Sequence, residues 1–266
     1  MALQRDPAGV PRLVGDNTSE SVDLFIDNSR FGGVTNFPSG VWMLEGDDLV
    51  TGSTANDLIF GNEGEDLISG ELGNDSLFGG KGIDLLEGNE GNDSLSGGQD
   101  ADLLAGDAGN DILLGGRGND FLASGNGNDT LVGGLGRDFL AALNENNSIK
   151  IGGSNLYVLQ AEPGVTDVNN ADAIAGFRVG ADRIGLAGGL TASDVDLQYV
   201  TNVTLLLGFD APESFNQVFA PGVFDPQPIQ SQGTLIKVRN SGDIVGFVAN
   251  VSVAEIQGSI ISAQGF

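Results

Sequence analysis

Residues Gly52–Ala141, written in rows of nine, read GSTANDLIF, GNEGEDLIS, GELGNDSLF, GGKGIDLLE, GNEGNDSLS, GGQDADLLA, GDAGNDILL, GGRGNDFLA, SGNGNDTLV and GGLGRDFLA, with no insertion or slip. Position six is Asp in every row: Asp57, Asp66, Asp75, Asp84, Asp93, Asp102, Asp111, Asp120, Asp129 and Asp138. Position eight is always aliphatic. The first six positions of each row are rich in Gly, Asn and Asp, residues that tolerate the positive φ of tight turns. The last three place the aliphatic residue between two neighbours, the shortest credible β-strand. One row is therefore a turn and a strand, and two rows bring the chain back to where it began. The expected result is a right-handed coil with two facing parallel sheets and the position-eight side chains (Val50, Ile59, Ile68, Leu77 and onward to Leu140) turned inward as a thin core.

The array fades at both ends. The preceding row, MLEGDDLVT, already holds Gly46, Asp48 and Val50 at positions four, six and eight. After the array, ALNENNSIK keeps Ile149 at position eight but has Asn147 where Asp belongs, and IGGSNLYVL keeps only Val158. The hydrophobic frame outlasts the acidic one, which predicts that the coil runs a row or two beyond its last Asp, as terminal repeats often do.

Composition narrows the chemistry. Of 266 residues 43 are Gly, more than twice the ordinary ~7 %, and 37 acids face only 11 Lys and Arg for a formal charge of -26. Such a charge opposes compaction unless cations are bound, and it repels nucleic acid and anionic membranes. There is no Cys and no His. That removes disulfides, thiolate sites, a Ser-His-Asp triad and the usual transition-metal ligands. What is abundant is oxygen, which suits a hard cation such as calcium. No run of about 18 apolar residues is present, so no membrane span is expected, and the first residues, MALQRDPAGVPRLVGDN, lack the apolar core of a signal peptide.

The rows resemble the calcium-binding nonapeptide repeat of the RTX (repeats-in-toxin, hemolysin-type) family, G-G-x-G-x-D-x-U-x. The resemblance implies an all-β protein: a right-handed parallel β-roll solenoid with an N-terminal cap and a C-terminal β-rich domain. It further implies calcium ions held between turns one full coil apart, by position-six carboxylates and main-chain carbonyls. Carried over residue by residue, the metal ligands fall in two columns. One holds Asp48, Asp66, Asp84, Asp102, Asp120 and Asp138, and the other Asp57, Asp75, Asp93, Asp111 and Asp129. Neighbours in a column are expected ~5 Å apart, a spacing at which uncompensated carboxylates repel strongly. Roughly nine calcium ions would fill the intervals at six or more oxygens each, leaving a net charge near ~-8. Three rows depart from the pattern, with Ala55 and Asp100 at the position-four Gly and Ser124 at the leading Gly, beside Asp57, Asp102 and Asp129.

Position seven differs between the two sheets. One reads Leu49, Leu67, Leu85, Leu103, Phe121, Phe139, a continuous apolar stripe, and the other Leu58, Ser76, Ser94, Ile112, Thr130. The first stripe is expected to pack against the C-terminal region or a second copy of the chain, the alternative being an apolar stripe simply tolerated at the surface.

Outside the array the chain divides into residues 1–42 (arm and cap), 43–154 (the roll) and 155–266 (a C-terminal β-rich capping and secretion domain). Residues 1–20 read as a loosely attached arm. A short strand is expected at Val22–Ile26, and Phe31, Phe37, Trp42 and Leu44 read as an end cap, an aromatic ligand platform being the alternative. Beyond Asn155, strands are expected at Leu156–Leu159, Ala173–Phe177, Arg183–Leu186, Val195–Val200, Val203–Gly208, Thr234–Val238 and Ile244–Val251, with a long loop at Ala211–Gln232 and weak helix at Ser252–Gln257. Asp172 to Leu186 is similar to the D-x-I-x-D-F-x-x-G-x-D-x-I-x-L stretch that follows RTX arrays, departing at Gly176. Asp172 and Asp182 are read there as turn formers, with one further calcium as the alternative.

The function this sequence implies is a non-enzymatic calcium-binding β-roll protein, disordered at low calcium and folded by calcium outside the cell. The resemblance implies a partner in a type I secretion apparatus, with the tail Ile260–Phe266 compatible with its signal, and an extracellular location without an N-terminal signal peptide. Two other classes remain. One is a surface adhesin or self-assembling, polysaccharide-binding protein; the other is an accessory or glycoside-active enzyme. Against the enzyme, no HExxH, G-x-S-x-G or phosphate-binding G-x-x-x-x-G-K-[ST] occurs, and only about 40 residues precede the array.

Overall fold

A single aliphatic residue per nine can build a core only by stacking on its copies. In a computed structural model describing residues 4–5, 13–15, 17–19, 21–24, 40–142, 153–205 and 229–263, the chain stacks in that way. Strands β1 (Gln4–Arg5), β2 (Leu13–Val14) and β3 (Ser21–Asp23) precede the array. The array itself forms β4 (Val41–Glu45), β5 (Leu49–Ser53), β6 (Leu58–Glu63), β7 (Leu67–Glu71), β8 (Ser76–Lys81) and β9 (Leu85–Glu87). It continues with β10 (Ser94–Gln99), β11 (Leu103–Ala105), β12 (Ile112–Arg117), β13 (Phe121–Ala123), β14 (Thr130–Leu135) and β15 (Phe139–Ala141). Even-numbered strands from β4 to β14 lie side by side in one sheet and odd-numbered strands from β5 to β15 in the other. Each pairs in parallel with the strand two ahead, so that Leu77, Leu95 and Leu113 are in register, as are Leu86, Leu104 and Leu122. The repeating coil is two rows long, and the architecture is a parallel β-roll.

Every position-eight side chain from Val50 to Leu140 is fully buried, and all belong to one core that continues from Val22 to Ile260. Position seven on the second sheet is not an open stripe. Leu85, Leu103 and Phe121 are buried within the single chain, Leu67 and Phe139 partly so, and only Leu49, at the first strand of the array, is exposed. Phe139 also packs against a second cluster containing Ala173, Val203, Leu235 and Phe247, so this end of the stripe meets the C-terminal region. On the outer face of the other sheet, Trp42, Phe60 and Phe78 stack along the coil axis with ring centroids 4.7 and 4.8 Å apart.

The strands do not stop at residue 154. After β15 come β16 (Leu156–Leu159), β17 (Asp172–Ala175), β18 (Arg183–Leu186), β19 (Val195–Leu205), β20 (Ile229–Val238) and β21 (Ile244–Ala249). A one-turn helix, α1 (Val253–Ile256), then leads to β22 (Ile260–Ser262). Parallel pairing continues from β14 through β16 and β18 to β22 in one sheet, and from β15 through β17 to β21 in the other. Among these C-terminal strands β19 and β20 join antiparallel, at the edge of the second sheet.

Several expectations need correction. The predicted loose arm contributes two strands: β2 pairs in parallel with β4 and β1 antiparallel with β2, because the first coil leaves a sheet edge whose main-chain groups need partners. The two strands expected at Val195–Val200 and Val203–Gly208 are one, with an irregularity between Val200 and Val203. Strand β20 begins at Ile229, inside the expected loop, and Ile260–Ser262 is a sheet strand where only an apolar tail was foreseen. In the row after the array, the inward residue opposite Leu131 is Tyr157 rather than Val158, because an insertion shifts the nine-residue frame by one. Phe31, Phe37, Asn147, Ile149 and residues 206–228 lie outside the described residues.

Candidate metal centre

With the exception of Ser124, the turns of rows 52–141 begin with Gly, and all of them end with Asp, and the reason is steric. A Cβ on Gly61 would lie 2.1 Å from Asp66 Oδ2, and one on Gly106 2.7 Å from Asp111 Oδ2. Glycine at position one is therefore the space the carboxylate occupies. The position-four Gly has a different task. Gly91 has φ 151°, and a Cβ there would lie 1.4 Å from the carbonyl oxygen of Gly73, one coil back. At Gly91 the stacked turns approach too closely for a side chain.

The eleven predicted Asp residues form two continuous ladders, one on each edge of the roll, all of them nearly inaccessible to solvent. Along one edge, Oδ1 of Asp66, Asp84, Asp102, Asp120 and Asp138 each accepts the main-chain N–H of the Asp one coil earlier, beginning with Asp48, at 2.9–3.0 Å. Along the other, Asp75, Asp93, Asp111 and Asp129 do the same from Asp57 onward, at 2.7–3.2 Å. One carboxylate oxygen thus holds the stack together.

The second oxygen has no such task. Oδ2 of Asp66, Asp75, Asp84, Asp93, Asp102, Asp111, Asp120 and Asp138, and Oδ1 of Asp57, are buried with no hydrogen-bond partner. Orphaned buried acceptors are rare in native structures and mark a missing partner. With no cation beside them, burial pushes the carboxyls far above their usual range: Asp66 to about 6, Asp75 and Asp120 to about 7, Asp84, Asp111 and Asp138 to about 8, and Asp102 to about 9. Repulsion from the next Asp in the ladder adds to this for Asp75, Asp84, Asp102, Asp111 and Asp138. A row of buried, mutually repelling anions with one lone-pair face unused fits a column of hard cations. Among the described residues no three Asp, Glu, His or Cys side chains converge as a ready-made cluster. Each pair of turns offers two carboxylates, so main-chain carbonyls of the turns would complete a calcium shell, and the ion would supply the charge that the ladder lacks.

The irregular rows differ in effect. Asp102 keeps an orphaned Oδ2 despite Asp100, which takes the left-handed conformation itself (φ 72°). In the first row Asp57 Oδ2 is engaged by the N–H of Ser53 at 2.6 Å, leaving Oδ1 unused. Asp129 is not among the orphans; its row begins with the buried Ser124, whose hydroxyl accepts a hydrogen bond from Asn155 Nδ2 at 3.2 Å.

Three features escaped the sequence reading. The ladders run past Asp138 and Asp129: Asp172 Oδ1 accepts the N–H of Asp138 at 3.0 Å, Asn155 Oδ1 that of Asp129 at 3.1 Å, and Asp182 Oδ1 that of Asn155 at 2.8 Å. Asp172 and Asp182 are thus more than turn formers, and the acidic frame resumes after one neutral step at Asn155. The segment resembling D-x-I-x-D-F held the signal, but a frame of nine could not cross the insertions. Second, Asn56, Asn74, Asn92, Asn110 and Asn128 form a ladder at position five of one edge, each side-chain oxygen accepting the N–H of the residue one coil later at 2.7–2.9 Å. An eighteen-residue comparison of the rows shows it at once. On the other edge position five is Ile83 and Ala101 in mid-array, which pack beneath Leu85 and Leu103. Third, Glu162 Oε1 accepts the N–H of Gly136 at 2.5 Å, from a segment with no repeat pattern.

Comparison with protein families finds the RTX calcium-binding nonapeptide repeat, in its four-copy form, at residues 44–77, 78–113 and 105–140. No curated protein matches the chain. The matched span coincides with the orphaned carboxylates and the glycine turns that make room for them. Residues 44–140 of this chain are an array of RTX calcium-binding nonapeptide repeats, wound into a parallel β-roll.

Proposed function

We propose that this is a non-enzymatic protein whose roll is disordered without calcium and is folded by the calcium it meets outside the cell. The observation that carries this reading is the double ladder of buried aspartates, in which Asp57, Asp66, Asp75, Asp84, Asp93, Asp102, Asp111, Asp120 and Asp138 each keep one oxygen without a hydrogen-bond partner. Unscreened, the ladders oppose the fold that creates them; with about nine ions bound at six or more oxygens each, they become its staples. Cytosolic calcium is too scarce to fill such sites and extracellular calcium is not, so the chain would leave the cell unfolded, through an apparatus of the type I kind. Among the described residues no helix is long and apolar enough to cross a membrane.

A chain without His or Cys has few routes to catalysis, which favours a binding and structural role over an accessory enzyme. Burial of Leu85, Leu103 and Phe121 within one chain favours an internal cover for that stripe over a homo-oligomer. The test is a calcium titration followed by far-UV circular dichroism and calorimetry. A cooperative gain of β-structure below millimolar calcium is expected. A spectrum unchanged from chelator to millimolar calcium would end this reading.

A further inference from the structure

The two aspartate ladders end differently. On the edge that runs through Asp129, the last rungs are Asn155, which carries no charge, and Asp182. Asp182 is fully served: its Oδ2 accepts the N–H of Arg178 at 2.7 Å, and its Oδ1 accepts both the N–H of Asn155 at 2.8 Å and Nη2 of Arg178 at 3.2 Å. The same Nη2 donates to the carbonyl of Gly153, in the turn that precedes Asn155. A guanidinium therefore spans the carboxylate of one turn and a main-chain carbonyl of the turn before it. A fixed organic cation closes this column.

The other edge accumulates negative charge instead. Asp138 Oδ2 is buried with no hydrogen-bond partner, Asp138 itself being 1 % exposed. Asp172, 4 % exposed, follows it in the ladder. Glu162 arrives from the connecting segment and takes the N–H of Gly136. In the regular coils that place belongs to a neutral main-chain carbonyl, as when the N–H of Gly64 meets the carbonyl of Lys81 at 2.9 Å and that of Gly118 the carbonyl of Leu135 at 2.8 Å. At the last turn a carboxylate has replaced a carbonyl. Among the described residues that act on Asp138, the carboxylates of Asp120 and Glu162 are opposed by Arg137, so negative charge outweighs positive at this turn. The unbalanced charge matches one divalent ion.

We propose that Asp138, Asp172 and Glu162 hold a terminal calcium ion beyond the nonapeptide array, while the opposite edge ends on Arg178 and takes no metal there. The proposal rests on the reading of the array as a calcium roll. The three carboxylates do not form a compact triad, and neither do the carboxylates of the regular turns, where main-chain carbonyls would complete each pair. Glu162 supplies as a side chain what a further coil would supply from its main chain.

Native mass spectrometry of the full-length, calcium-loaded protein counts bound ions as integers and decides the matter. Glu162→Gln is expected to bind one calcium fewer than the unmodified chain, and so is Asp172→Asn. Asp182→Asn is expected to keep the full count. Glu162 is half-buried on a connecting segment, so its variant keeps the fold and decides the question even where Asp172→Asn does not fold. An unchanged count in Glu162→Gln overturns the terminal site, and a lost ion in Asp182→Asn overturns the role given to Arg178. A chain that binds no calcium at all defeats the reading of the array itself, an outcome distinct from the loss or retention of one ion.

Discussion

The array and the C-terminal strands share the same two sheets but are held together by different means. Between β5 and β15 each strand gives one inward aliphatic residue, and the turns are packed with buried acids. In β21 all six residues are buried, with Val245 and Val248 in the main core and Ile244, Phe247 and Ala249 in the cluster on the opposite face. A strand buried on both faces recovers much of its ordering cost from apolar contact. A strand of the even-numbered sheet such as β8 or β10, which buries one leucine with a carboxylate beside it, does not. On the proposed reading the roll would depend on ions where its hydrophobic supply is thinnest, and need them least where long strands double the core.

Removing calcium gives the largest expected difference between the two regions. With chelator at neutral pH, amides of residues 48–140 are expected to exchange within seconds by hydrogen–deuterium mass spectrometry, while those of β20 and β21 keep a measurable fraction of their protection. Equal loss in both regions would show the two behaving as one cooperative unit.

Protons offer a second way to separate them. The buried ladder carboxyls have folded-state values raised to between about 6 and about 9, against ~3.9 in an unfolded chain. The folded metal-free array therefore binds more protons than the unfolded chain, and its stability falls as pH rises from about 4 to about 9. Chelated protein brought to about pH 4.5 is expected to regain part of the β signal lost at pH 8. Calcium affinity should move the other way, rising with pH as fewer protons have to be displaced. A metal-free spectrum that stays flat between these pH values would contradict the assignment of burial as the source of the raised values.

Point substitutions refine the contrast. Phe247→Ala should cost about 3–5 kcal/mol of stability in calcium, by removing a fully buried ring from the C-terminal cluster. Gly91→Ala should cost about 3 kcal/mol or more, since its Cβ would collide with a backbone carbonyl. Gly242→Ala, which meets nothing within 4 Å at φ 80°, should cost only the ~1–2 kcal/mol of a left-handed alanine. Chemical denaturation in saturating calcium measures all three, and similar losses at Gly91 and Gly242 would show that the turns are not closely stacked. Asn92→Ala should have the smallest effect, about 1 kcal/mol, because it removes one rung of a partly exposed ladder.

The roll and its eleven aspartates were legible because strict period converts a weak local preference into certainty. Asp at every sixth position of each row, and an aliphatic residue at every eighth, leave the chain few ways to stack. The rest was hidden wherever period failed. Asn155, Asp172 and Asp182 occupy ladder positions, but 26, 34 and 27 residues separate them from their partners instead of 18. An inserted loop changes the spacing without changing the contact. Glu162 was invisible for a related reason: it acts by taking a carbonyl's place, which leaves no trace in sequence. The strands of the first residues were missed because Pro and Gly spoke for a loose chain, whereas an open sheet edge recruits whatever backbone is near.

The unequal fifth and seventh positions set the unit by which such a protein can change length. Removing one row of nine would slide every later residue to the opposite edge. Asparagines would then stand over Ile83 and Ala101, and the leucines and phenylalanines that lie under cover would exchange places with serines and threonine. Removing two rows restores each residue to an equivalent neighbour, because from Asp48 to Asp120 each main-chain N–H of the ladders finds its acceptor eighteen residues away. Gain or loss of whole coils is thus structurally silent, while gain or loss of half a coil is not, and the length of the roll is quantised in steps of eighteen residues.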